Sequence, residues 1–342
     1  MSNLNKTMDH GLQPSLFVNN LFQDTLDFQG AASSLAAFQY KHNVVYRQWC
    51  QALGMTDDRW QTTGLSQITE IPFLPVSFFK TQPVVTGVFE PALIFESSGT
   101  TQSVNSRHLV KDPLIYEQSF IKAFEQRYGA IKDWCVIGLL PAYLERQHSS
   151  LVYMVNSMIG LSEHPESGFY LYDHARLHAN LLELEAKGQK TLLIGVTFGL
   201  LDFAEAYPMQ LKHTVVMETG GMKGRRAELT RFELHAYLQQ QLGVPAVHSE
   251  YGMTELLSQA YSTGEGRFIC PPWMKVVVRD EEDPLAVQLQ GRGILNVIDL
   301  ANMDSCAFIA TDDVGTVYPD GSFEVWGRVD ASDIRGCSLM VV

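Results

Sequence analysis

The chain has 342 residues, 46% hydrophobic and 18% charged, which is enough for a large core with two or three subdomains and too apolar for a disordered chain. A formal charge of -13 argues against nucleic acid as the main partner, because a phosphate backbone calls for a basic surface. No run of about 18 apolar residues is present to cross a membrane, and the polar stretch 1–13 lacks the apolar centre of a signal peptide, so a cytoplasmic location is expected.

From Leu16 to about Met55, apolar and aromatic side chains recur at helical spacing, among them Leu26, Phe28, Leu35, Phe38 and Tyr46. A helical lobe over 1–85 is predicted. Its last part, Ile71 to Lys80, is broken by Pro72 and Pro75 and reads as extended, with Lys80 in solvent. Leu93-Ile94-Phe95 then reads as a strand that runs into Glu96-Ser97-Ser98-Gly99-Thr100-Thr101-Gln102, a stretch of hydroxyls and glycine. Such a loop offers hydroxyl donors and backbone N–H groups to an anion.

Asp112-Pro113 is an N-cap followed by a first-turn proline, and the helix it opens stops at Gly129. A strand follows over 134–140. Asp173 caps a second helix ending near Gly188. Strands over 191–196, 214–217 and 246–249 alternate with a short helix near Asp202 and a longest helix over 225–242. Strands separated by helices form parallel βαβ units, whose ligands sit at the carboxyl ends of the strands. The stretches 97–102, 219–224 and 251–255 are predicted to fall there. Beyond Glu255, turn signals such as Pro319-Asp320-Gly321 divide short β-rich runs, predicting a small antiparallel sheet over 256–328.

The segment Tyr251-Gly252-Met253-Thr254-Glu255 holds an aromatic for a base, a hydroxyl for a phosphate and a carboxylate for a hard cation. Ser97 to Thr101, Tyr251 to Glu255, Thr311-Asp312-Asp313-Val314-Gly315 and Gly327-Arg328-Val329-Asp330 occur in the order seen in adenylate-forming enzymes. From about residue 70 onward the chain resembles that superfamily, and within it the acyl-protein synthetases of the long-chain-fatty-acid-protein ligase type.

The resemblance implies an α/β fold, with parallel sheets flanked by helices and a small β-rich subdomain, as in the N-terminal domain of those enzymes. It implies a nucleotide and acyl-binding core over 86–255, the β-rich part over 256–328 and a hinge-like segment over 329–342, with no large C-terminal domain. It also implies ATP and Mg²⁺, and no bound organic cofactor. Ser97, Ser98, Gly99, Thr100 and Thr101 would hold the outer phosphates. Gly220 and Gly221 would pass the adenine and Tyr251 would stack on it. Thr254 would bind the α-phosphate, Glu255 would ligate Mg²⁺, and Asp313 with Arg328 would hold the ribose. The loop lacks the family's following Gly and Lys, so a phosphate contact falls to Lys223 or Arg225. The lysine that full-length relatives carry beyond the hinge is expected to be absent.

The activity implied is formation of an acyl-adenylate from a fatty or similarly apolar acid, then transfer to a thiol. That thiol is Cys337, as in the luminescence group, with Arg335 lowering its pKa, or else the thiol of coenzyme A or an acyl carrier protein. Cys50, Cys135, Cys270 and Cys306 read as core residues. His148 is weighed as a neighbour of the reacting carboxylate against a structural role at a helix start. His174 and His178 are one turn apart with no third ligand, which disfavours zinc. The basic cluster Lys223, Arg225, Arg226 and Arg231 suits either a solvated face or an acidic carrier protein. A reading from another class is a lapsed relative that binds nucleotide or acyl chains as a partner subunit.

Overall fold

The helical spacing of the first fifty residues produces three helices, Pro14–Leu21, Phe28–His42 and Val44–Ala52. Asp27 caps the second by accepting from Gly30 N, and Asn43 caps the third by accepting from Tyr46 N. The protein is seen here as a computed structural model that describes residues 12–23, 25–57, 60, 65, 67–97, 104–141, 147–220, 229–283 and 285–329. The prolines keep the chain extended through strand β1 (Leu74–Pro75), but a short helix, Phe78–Thr81, follows and carries Lys80.

Strands β2 (Leu93–Glu96) and β3 (Arg107–Val110) pair with each other in an antiparallel hairpin. This corrects the expectation for the Ser/Thr loop, which extends from a separate hairpin and not from a strand of the parallel sheet. The main sheet is built from β4 (Cys135–Leu139), β5 (Gly168–Phe169), β6 (Thr191–Gly195), β7 (Thr214–Glu218), β8 (Val247–Tyr251) and β9 (Ala260–Ser262). Its order is β5-β4-β6-β7-β8-β9, parallel except for the last pair.

Both faces of this sheet are covered, as a parallel sheet requires. On β4, Cys135, Ile137 and Leu139 pack into one core with Leu177, Leu181 and Phe203. The alternate residue Val136 joins a larger core with Phe120, Phe124 and Val155. The helices Pro113–Tyr128, Ser150–Ser162, His174–Ala186, Thr197–Ala206 and Arg231–Leu242 supply the layers. Asp112, Ser149, Asp173 and Thr230 cap four of them. The last helix begins at Arg231 because Thr230 and Glu233 form a capping box, and at 12 residues it is shorter than the 16-residue Pro113–Tyr128 helix. The expected longest helix over 225–242 is corrected accordingly, with residues 225–228 outside the described set.

The β-rich part is a six-stranded sheet of β10 (Met274–Arg279), β11 (Val287–Gln288), β12 (Gly291–Asp299), β13 (Phe308–Val317) and β14 (Phe323–Arg328), with β1 added in parallel against β13. Residues of the N-terminal lobe therefore complete the sheet furthest from them in sequence. The side chains agree: Gln39 donates to the carbonyls of Asn302, Met303 and Ser305, and its own Oε1 accepts from Ala307 N. Cys50, Cys135 and Cys306 are buried, and Cys270 is half-buried. No described helix is long and apolar enough to cross a membrane.

Candidate active site

The β7 and β8 ends and the base of the β2–β3 hairpin converge on one cleft of about 990 Å³. Ser97, Gly220, Thr254, Glu255 and Arg328 all line it, drawn from positions far apart in sequence. Ser97 is fixed where the hairpin opens: its N–H donates to Ser106 O (3.1 Å) and its Oγ accepts from Ser106 N (2.9 Å).

The turn after β7 is held by Glu218, a buried carboxylate. Its Oε2 accepts from Gly220 N at 2.7 Å, and its Oε1 lies 3.4 Å from Arg231 Nε. Burial alone would push this carboxyl up. Hydrogen bonds from His235 and Ser249, the Arg231 charge and the Gly220 N–H outweigh burial and bring it below the usual range. Gly220 is left-handed, with φ of 74°, and a side chain there would point into open space.

The Thr254-Glu255 turn is pinned through its backbone, and both residues line the cleft. His108 Nδ1 donates to Thr254 O (2.9 Å), and Asn302 Nδ2 donates to Glu255 O (2.6 Å). Asp299 accepts from Leu257 N (2.7 Å) and Ser258 Oγ (2.5 Å) just beyond. Burial drives the His108 imidazole down to about 4, against hydrogen bonds with Thr254 and Asn302, so it is neutral at pH 7. Burial raises the Glu255 carboxyl, opposed by a hydrogen bond from Ser106 and the charges of Arg328 and Lys80.

Tyr251, Asp313 and Arg328 form one linked unit. Tyr251 Oη donates to Asp313 Oδ2 at 2.7 Å, and Arg328 Nε donates to Oδ1 at 2.9 Å. Asp313 and Arg328 are register partners on β13 and β14, so strand pairing sets the ion pair. Gly315 allows those strands to close, since an added Cβ would run into the Glu324 carbonyl. Tyr251 is 8% exposed and Asp313 4%, with the tyrosine ring edge-on to Phe323 at 5.3 Å.

Other residues in the cleft were not singled out from sequence. Lys80 lines it near Glu255, is exposed as expected, and has no ion-pair partner among the described residues. Glu250, directly before Tyr251, also lines it, and burial together with the Glu218 charge pushes its carboxyl up to about 8. His108 and Asn302 carry no motif signal, because their roles depend on contacts 146 and 47 residues away. His148 is exposed and outside the cleft lining: its Nδ1 donates to Ile94 O (3.0 Å) and its own carbonyl accepts from Glu96 N (2.7 Å), which ties it to β2. Ser98, Gly99, Thr100, Thr101, Gly221, Lys223, Arg225 and Cys337 lie outside the described residues.

Apolar residues also line the cleft, among them Leu140, Leu151, Val152, Met154, Val196 and Phe198. One cavity thus holds hydroxyl, charged and apolar side chains together. Among the described residues no group of three or more His, Cys, Asp or Glu side chains is placed to hold a metal.

No protein-family model matches the chain. It is 24% identical over 331 residues to the long-chain-fatty-acid–luciferin-component ligase of Aliivibrio fischeri, a match covering 88% of this chain and 84% of that protein. It is 20% identical over 327 residues to the protein of the same name from Vibrio harveyi, again covering 88% and 84%. Among solved structures, ATP-bound MatB from Rhodopseudomonas palustris aligns with a TM-score of 0.52 at 18% identity, covering 70% of this chain and 49% of that one. An ATP-bound RpMatB-BxBclM chimera gives 0.53 at 17% identity, with 71% and 49% covered. The chain spans about half the length of these solved structures. The chain is thus similar over most of its length to two long-chain-fatty-acid–luciferin-component ligases, and about 70% of it shares the fold of the ATP-bound MatB structures.

Proposed function

We propose that this chain is a carboxylate-activating ligase that uses ATP to convert an apolar acid to its acyl-adenylate and then transfers the acyl group to a thiol. The observation that carries this reading is the one cleft whose lining brings Ser97, Gly220, Thr254, Glu255 and Arg328 together with the apolar Leu151, Val152, Met154 and Phe198. The base would lie along Gly220 and Tyr251, and the ribose hydroxyls by Arg328 and Asp313. Thr254 would contact the α-phosphate, with the Ser97 loop at the outer phosphates. Lys80, from the helix just upstream, would supply the cation that the loop itself lacks. Glu255 would hold Mg²⁺, which when bound draws charge from the phosphates.

The acid lies with its chain along Leu151, Val152, Met154 and Phe198, so its carboxylate is delivered to the polar residues. A carboxylate oxygen attacks the α-phosphorus, the bond to the bridging oxygen of pyrophosphate breaks, and pyrophosphate leaves with both electrons. What the chain contributes is positioning and charge balance. A thiolate then attacks the acyl carbonyl and expels AMP. Cys337 is one acceptor for this step; a carrier or coenzyme A thiol is the other.

ATP–pyrophosphate exchange with a panel of acids tests the first half. Exchange that requires an added acid supports the reading, and no exchange with any acid by folded protein refutes it. For the second half, labelled acid and ATP should leave a hydroxylamine-labile label on the chain that is lost in Cys337→Ser, while exchange persists. Label that survives the substitution excludes Cys337 as the carrier.

A further inference from the structure

Two polar side chains that line the cleft, Glu250 and Gln259, have carboxyl and carbonyl oxygens without hydrogen-bond partners among the described residues. Gln259 Oε1 and Tyr261 Oη are buried and make no hydrogen bond, and no described residue bonds the Glu250 carboxyl. Glu250 and Tyr261 are register partners on β8 and β9, so their side chains share a face. Gly252 is close to both: a Cβ there would run into Glu250 Oε1 and lie 3.5 Å from Gln259 Cγ. Glu250 and Gln259 both line the cleft, next to Tyr116, Val152 and Met154. Gln259 is only 3% exposed.

Buried polar groups in native proteins are nearly always paired, so the unpaired carbonyl of buried Gln259, beside the partly buried Glu250 carboxyl in the lining of the cleft, marks a place that a ligand completes. The bare amide carbonyl of Gln259 calls for a donor. Glu250 is a protonated carboxyl at neutral pH, able both to donate and to accept. An alkyl chain alone satisfies neither group, whereas a hydroxyl satisfies both at once.

We propose that the acid activated here carries a hydroxyl group on its otherwise apolar acyl portion, donating to Gln259 Oε1 and accepting from Glu250. This deepens the ligase reading and rests on it. Gln259 and Glu250 then act as specificity-determining residues, and unsubstituted acids are disfavoured because they leave buried groups unpaired.

The test is ATP–pyrophosphate exchange by the full chain with straight-chain acids, their analogues hydroxylated at successive carbons, and the matching amino analogues. One hydroxy acid should exceed its unsubstituted parent in kcat/KM by at least about tenfold. Gln259→Leu and Gln259→Met should each erase that preference while holding or raising Tm, since neither removes a hydrogen bond made within the protein. Equal or better use of unsubstituted acids, a preference unmoved by both variants, or a higher kcat/KM for an amino analogue overturns the hydroxyl assignment and leaves the ligase reading standing. No exchange with any acid overturns both.

Discussion

Replacing Glu250 by Gln should stabilise the free protein, and by an amount that grows with pH. The Glu250 carboxyl is raised from 4.5 to about 8 by burial and by the nearby Glu218 charge. A raised folded value means that folding favours the protonated form. Its stabilising contribution is complete below pH 4.5, is lost as pH rises, and is gone once pH passes 8. Glutamine keeps the shape of the protonated acid and does not titrate. At about 1.36 kcal/mol per pH unit of difference, the variant gains about 3 kcal/mol over wild type at pH 7 and under about 1 kcal/mol at pH 5. Between pH 5 and pH 8 the gap widens by about 3.5 kcal/mol. With an unfolding entropy of about 2.1 cal/mol/K per residue, that is a relative rise in Tm of about 5 °C. Circular-dichroism melts of both proteins at pH 5, 6, 7 and 8 measure it. Parallel Tm profiles across that range would refute a desolvated Glu250 beside Glu218.

Asp313→Ala leaves Tyr251 Oη buried without its acceptor and frees Arg328, so it should cost about 2–3 kcal/mol in chemical denaturation and raise the KM for ATP in exchange at least about tenfold. Asp313→Asn keeps an acceptor for Tyr251 and should recover most of the stability but not the KM. His108→Leu should flatten the acid side of the stability profile. With a folded value of about 4 against 6.5, the histidine contributes stability that is present above pH 6.5 and lost as pH falls toward 4, about 3 kcal/mol in all. Unchanged acid sensitivity in His108→Leu would show that the imidazole is not buried neutral. Lys80→Ala should raise the KM for ATP about tenfold and Lys80→Arg much less; equal exchange kinetics in both would remove Lys80 from the phosphates.

Much of the parallel sheet was legible because its signals are local. Asp112-Pro113, Gly129, Asp173 and Gly243 punctuate helices through caps and turns that involve only their neighbours, and each marks a helix end in the fold. The Thr230 cap could also have been read, since Glu233 follows it three residues later. The β2–β3 hairpin could not, because a strand four residues long reads alike whichever strand it pairs with. The pairing of β1 with β13 joins residues more than two hundred positions apart and leaves no periodic trace.

In the candidate site, the motifs carried their own chemistry in residue types: hydroxyls at Ser97 and Thr254, carboxylates at Glu255 and Asp313, a cation at Arg328. Those residue types are visible in the chain itself. The supports are not. Lys80, His108, Glu250 and Asn302 have their places through packing, a backbone carbonyl contacted across the molecule, or desolvation by neighbours, and none of these depends on adjacent sequence. The sequence by itself determined which groups are present and how the helices and strands begin and end. Only tertiary structure decided which groups share a cleft and which carboxyl is neutral, because proximity and burial arise from long-range contacts.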